Sequence, residues 1–173
     1  MDKYILLHKD HAVAEFSTKR DTVLQAAIYK ENIKELPLPL KRLLHNPVEF
    51  IESEDKTKYT INDDGCWLME QWISDREIPA NRDNLSKYLE RGKTAREWML
   101  ENNAFSFTDC YWIKKEQDNL YWSDIDAKKQ DVDNLSLTHD ENRLYHGVNS
   151  TLGGELEKYW FTNNGELWIC KKT

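Results

Sequence analysis

Gly153 and Gly154, with Ser150 and Thr151 just upstream, precede an apolar run, an Asn-Gly step and a second run that ends on Lys171 and Lys172. Glycine has no Cβ, so backbone N–H groups can come close to an anion. A lysine brought alongside on a neighbouring strand neutralises that anion. Residue types in this order can hold phosphates, although the same order also makes an ordinary surface hairpin. Side chains alternate along a strand. Leu167, Ile169 and Lys171 therefore share one face, and Trp168, Cys170 and Lys172 share the other.

A second pair of candidates is Arg76 and Arg82, which flank Ile78-Pro79-Ala80. They can grip an anion, or they can pair with their own neighbours Asp75, Glu77 and Asp83. His8, His11, His45, His139 and His146 are scattered without ligand spacing, and His8 and His11 sit astride a turn as solvated surface. Cys66, Cys110 and Cys170 form no Cys-x-x-Cys, so neither a zinc site nor a disulfide frame is expected. No nucleophile elbow is present. The residues name no catalytic group and no metal ligand.

The elements that would carry these residues can be read in order. Tyr4-Ile5-Leu6-Leu7 and a run around Val13 ending at Phe16 predict a hairpin turned at Lys9-Asp10. Residues 23–29 suit a strand, or equally a short helix. Pro37 and Pro39 break the chain, and a short helix follows through Leu43-Leu44. Residues 52–58 read as a charged loop. Residues 62–103 read as a helical centre. Asp63 or Asp64 caps a helix with Trp67, Leu68, Trp72 and Ile73 on a broad apolar face. A second helix carries Leu85, Tyr88 and Leu89 and stops at Gly92. A third is opened by Thr94, with Glu97 completing a capping box. Residues 105–113 enter a short element. Residues 124–134 are strongly polar and read as a linker or loop, or as a long surface helix, and residues 135–148 are mixed and lead into the final hairpin. Asn163, Asn164 and Gly165 turn the final hairpin, with strands over 156–161 and 167–171. The fold class is α+β: an N-terminal hairpin or small sheet, a central helical cluster and a C-terminal hairpin. The expected divisions are 1–125, 126–148 and 149–173.

The chain has 173 residues, 39% hydrophobic and 32% charged, with a mean hydropathy of -0.81. That is enough for one domain with a real core. With 24 basic against 31 acidic residues, the formal net charge is -7. This argues against direct binding to a nucleic-acid backbone, which requires a surplus of Lys and Arg. No apolar run approaches 18 residues and no secretory leader is apparent, so a cytoplasmic, non-membrane location is expected. Seven Trp and eight Tyr fill a core, or in part make an aromatic patch for a protein partner.

Four blocks carry a family resemblance. Residues 3–16 open it. Trp72 to Arg82 is similar to a W-x-x-x-R-x-I-P-A-x-R segment, and Phe105 to Ile113 (FSFTDCYWI) resembles an LSLSDxYWI segment. Gly153 to Trp160 resembles the loop and strand that open a kinase core. In this order they resemble HipA-like Ser/Thr kinase proteins of Gram-positive bacteria and their mobile elements. The resemblance implies an ATP-phosphate loop at Ser150, Gly153 and Gly154, a loop serine at Ser150 open to autophosphorylation, and Lys171 as the ATP-pairing lysine, with Lys172 second. No catalytic-loop or metal-binding Asp motif follows Lys171, so phosphate transfer by this chain alone is not expected. ATP and Mg²⁺ are expected only if a catalytic lobe is supplied. The implied role is a regulatory or protein-interaction module, with Trp72, Arg76, Arg82, Tyr111 and Trp112 toward a partner. The alternative is a phage or mobile-element protein that binds and blocks a host defence protein, as anti-CRISPR inhibitors do.

Overall fold

The computed structural model describes residues 1–20, 22–45, 50–77, 92–105, 109–125, 158–163 and 166–171. Strands β1 (Asp2–His8) and β2 (His11–Lys19) pair antiparallel about the turn at Lys9 and Asp10, with Lys9 at a φ of +53°. Leu6 pairs with Ala14 and Leu7 with Ala12, which makes Val13 the extra residue of a bulge. The bulge turns Val13 fully into the core. Strand β3 (Thr22–Tyr29) settles the 23–29 ambiguity as a strand, paired to β2.

Two short helical turns follow. A short 3-10 turn covers Ile33–Glu35, and α1 (Leu38–Lys41) starts behind Pro37 and buries Leu40. Strands β4 (Ile51–Glu52) and β5 (Lys58–Ile61) then bracket a turn. The charged loop expected over 52–58 is thus the tip of a hairpin. Asp55 organises it by accepting hydrogen bonds from Ser53 Oγ at 2.6 Å, Thr57 Oγ1 at 2.8 Å and Thr57 N at 3.0 Å.

Helix α2 (Asp63–Ser74) is capped by Asn62, not by Asp63 or Asp64: the Asn62 side chain accepts from Gly65 N at 3.1 Å. The two aspartates occupy the first turn, where the helix dipole favours negative charge. Gly65 is needed for a close approach, because a Cβ there would lie 2.8 Å from Ile61 Cβ. Helix α3 (Ala95–Glu101) starts at Thr94 with the expected capping box, both halves of it made. Strand β6 (Tyr111–Lys115) returns to pair with β1, and α4 (Trp122–Ile125) follows. The helix expected around Leu85 lies outside the described residues.

The sheet runs β4-β5-β3-β2-β1-β6, antiparallel throughout. The class is therefore α+β, built on a six-stranded sheet larger than the hairpin or small sheet that was expected. One face, through Tyr4, Leu6, Phe16, Ala26 and Ile28, joins Met69, Trp72 and Ile73 of α2 with Leu36, Leu40, Met99 and Leu100 in one core. Burying each large aliphatic side chain contributes roughly 1.5–3 kcal/mol. Trp67 is not on that face. It is 60% exposed, while Cys66 and Met69 are buried in its place. Strands β7 (Lys158–Asn163) and β8 (Glu166–Lys171) pair as a separate antiparallel hairpin, with Asn163 opposite Glu166 and Lys158 opposite Lys171. Among the described residues no helix is long and apolar enough to cross a membrane.

Candidate functional site

Arg76 leaves the end of α2 and turns inward. Its Nε donates to Ala104 O at 3.2 Å, and Nη2 donates to Ala104 O and Tyr111 O, each at 3.0 Å. Nη1 and Nη2 together hold Asp109, at 2.8 and 3.0 Å, in a bidentate pair. The guanidinium lies 4.6 Å from the ring centroid of Trp72, one turn back on the same helix. Arg76 is only 7% exposed. The anion it grips is therefore the chain's own Asp109, and not the neighbouring Asp75 or Glu77; Asp83 lies outside the described residues. Asp109 also accepts from Tyr111 N at 3.0 Å, which fixes the start of β6.

From this clasp a line of polar and aromatic groups runs to the surface. The Trp72 ring meets Tyr111 edge-on at 6.1 Å, and Tyr111 lies 4.9 Å from the His8 ring. Tyr111 OH donates to Glu35 O at 2.8 Å. Burial pushes the Tyr111 phenol up, with help from the negative charge of Asp109. His8 Nδ1 and His11 Nδ1 both reach the Glu35 carboxylate at 2.9 Å. These hydrogen bonds, from His8 first and His11 next, hold Glu35 below its ordinary pKa. His8 and His11, expected as unrelated surface groups, are thus brought together by one carboxylate 24 and 27 residues away. Among the described residues no group of three or more His, Cys, Asp or Glu could hold a metal.

A second buried arginine was not picked out in the sequence. Arg96 Nη2 donates to Glu70 at 2.7 Å and Ser74 Oγ at 2.8 Å, and its Nε donates to Glu77. Burial works against both charges. The hydrogen bonds of the pair outweigh it, so Arg96 is raised and Glu70 lowered from their ordinary values. Glu70 also accepts from Val23 N at 2.9 Å and so ties α2 to β3.

Of the residues expected to face a partner, Trp72 and Arg76 are buried and Trp112 is fully buried, with its Nε1 donating to Lys9 O. Tyr111 is half-buried. These four shape the surface from beneath, and only Tyr111 reaches it. Arg82, Ser150, Gly153 and Gly154 lie outside the described residues. Lys171 is the last residue of β8. No family model, no curated protein and no solved structure matches the chain.

Proposed function

We propose that the chain is a regulatory protein-interaction module related to the N-terminal part of HipA-like kinases, and that it transfers no phosphate alone. What supports this is the use made of its two most specific blocks. Trp72 and Arg76 of the first meet Asp109 and Tyr111 of the second in one buried clasp. That joins the blocks as a stiffened unit instead of presenting reactive groups to solvent. Outside the clasp, α2 leaves Trp67 60% exposed, and Leu24 on the adjoining strand is 45% exposed. Beside them α2 is tied to β3, because Cys66 Sγ donates to Leu24 O at 3.9 Å. Aromatic anchors of this kind dominate binding energy at interfaces. The β7–β8 hairpin, ending on Lys171, fits the place of a nucleotide-holding hairpin completed by a partner lobe.

The test is calorimetric binding of the whole chain to a HipA-like catalytic lobe lacking its own glycine-loop hairpin. The expected outcome is a complex that Trp67→Ala weakens by roughly 2 kcal/mol. Absence of any complex contradicts the proposal.

A further inference from the structure

Helix α2 divides its acids between two sides. Glu70, and Glu77 just past the helix end, are taken by Arg96. Asp63, Asp64 and Asp75 are exposed, and none of them makes an ion pair with a described residue. No lysine or arginine occurs from Asn62 to Asp75 to neutralise them. Asp63 and Asp64 gain from the dipole at the helix start. Asp75 has no such gain. It is the C-cap, where the dipole disfavours negative charge, and the last turn holds no basic residue.

Spacings of three, four and four put Asp64, Trp67, Gln71 and Asp75 on one exposed stripe. Leu24 is exposed beside it on β3, where its carbonyl accepts from Cys66 Sγ. An aromatic ring between unmatched carboxylates suits a partner that brings apolar and cationic side chains together. The apolar group covers Trp67, and the cations gain from the carboxylates and from the ring face. The stripe spans about 16 Å along the axis, roughly three turns of a facing helix. The backbone of α2 is closed within the helix and offers no edge for strand addition, so side chains do the recognition. A second copy of the chain would set these carboxylates against their like.

We infer that this stripe is the docking line for a basic amphipathic helix of a protein partner, whose apolar side packs on Trp67 and Leu24 and whose lysines or arginines lie opposite Asp64 and Asp75. The inference rests on the interaction-module reading and adds the chemistry of the partner's surface.

The experiment is a titration of a synthetic amphipathic helix of leucine and lysine into the isotope-labelled whole chain, followed by backbone amide NMR signals. Saturable shifts are expected from Asp64 to Asp75 and at Leu24, and binding should weaken with added salt. The same helix with glutamate in place of lysine should give none. Trp67→Ala should weaken binding about tenfold or more. Asp75→Lys should weaken it about fivefold. The same substitution should leave thermal unfolding unchanged or raise it, because the dipole favours a cation at that end. No shifts, shifts spread away from the stripe, equal shifts with the glutamate helix, or unchanged affinity in Asp75→Lys would each overturn the docking line. So would self-association of the chain in sedimentation that Trp67→Ala abolishes, since it gives the stripe to a second copy. Binding to the catalytic lobe separates the two proposals. A lobe complex indifferent to Asp75→Lys removes the docking line alone, and binding of the synthetic helix without a lobe complex removes the HipA-like reading alone.

Discussion

Arg76 and Arg96 are exposed to nearly the same small extent, 7% and 6%, yet they are held by different kinds of acceptor. Among the described residues, Arg76 makes most of its hydrogen bonds to backbone carbonyls, those of Ala104 and Tyr111, with Asp109 as its one carboxylate. Among the described residues, Arg96 is held by side chains: Glu70 and Ser74 of α2, and Glu77 just beyond its end. The first arrangement fixes a loop and the entry to an edge strand. The second fixes one helix against another. Removing a buried charge from water costs several kcal/mol, so each is stable only because its acceptors are in place beforehand. Backbone acceptors cannot be neutralised by a proton, whereas carboxylates can. That difference makes the Arg76 clasp a fixed joint and the Arg96 cage a joint that acid loosens.

Substitution separates the two most strongly. Arg76→Ala should cost about 3 kcal/mol at neutral pH, because it strands two carbonyls and the Asp109 carboxylate. Denaturant unfolding measures this directly. Arg96→Ala should cost somewhat less, about 2 kcal/mol, because the acceptors it strands are side chains that can take up protons, which the carbonyls of Ala104 and Tyr111 cannot. Equal costs that stay equal at every pH would break the comparison.

Acid sharpens it further. Glu70 is depressed in the folded state, so its contribution is present above the unfolded pKa, roughly 4.3. It is lost as pH falls through the lower folded value. Wild-type stability should therefore decline through this window, and Glu70→Gln should flatten that decline. In Arg96→Ala the depressing partner is gone while burial still favours the neutral carboxyl. The gap between this variant and wild type should thus narrow on going from pH 7 to pH 4. The Arg76→Ala gap should narrow less, since the carbonyls of Ala104 and Tyr111 do not titrate. Chemical denaturation at each pH checks both slopes.

The parts of the fold that short-range chemistry specifies could be read from the residues. Thr94 and Glu97 lie one turn apart and satisfy each other's orphan N–H groups, so their box was visible before any fold was known. The Lys9-Asp10 turn was equally local. At the start of α2 three adjacent residues can all cap, and local chemistry does not rank Asn62 above Asp63 and Asp64. The six-stranded sheet was out of reach because β6 joins β1 across more than a hundred residues. The same holds for the partners of Arg76, whose carboxylate is 33 residues away while three nearer acids compete for it. Trp67 shows why spacing misleads. Trp67, Leu68, Trp72 and Ile73 define a face too broad for one helix to bury, and the better-packed stripe through Cys66, Met69 and Ile73 left Trp67 outside.

The most direct test of the module reading is a phosphotransfer assay with labelled ATP and Mg²⁺, run on the chain alone, on a hairpin-less HipA-like catalytic lobe alone, and on the two mixed. The account predicts transfer only in the mixture, and its loss with Lys171→Ala. Transfer by the chain alone, or an inactive mixture, would contradict it.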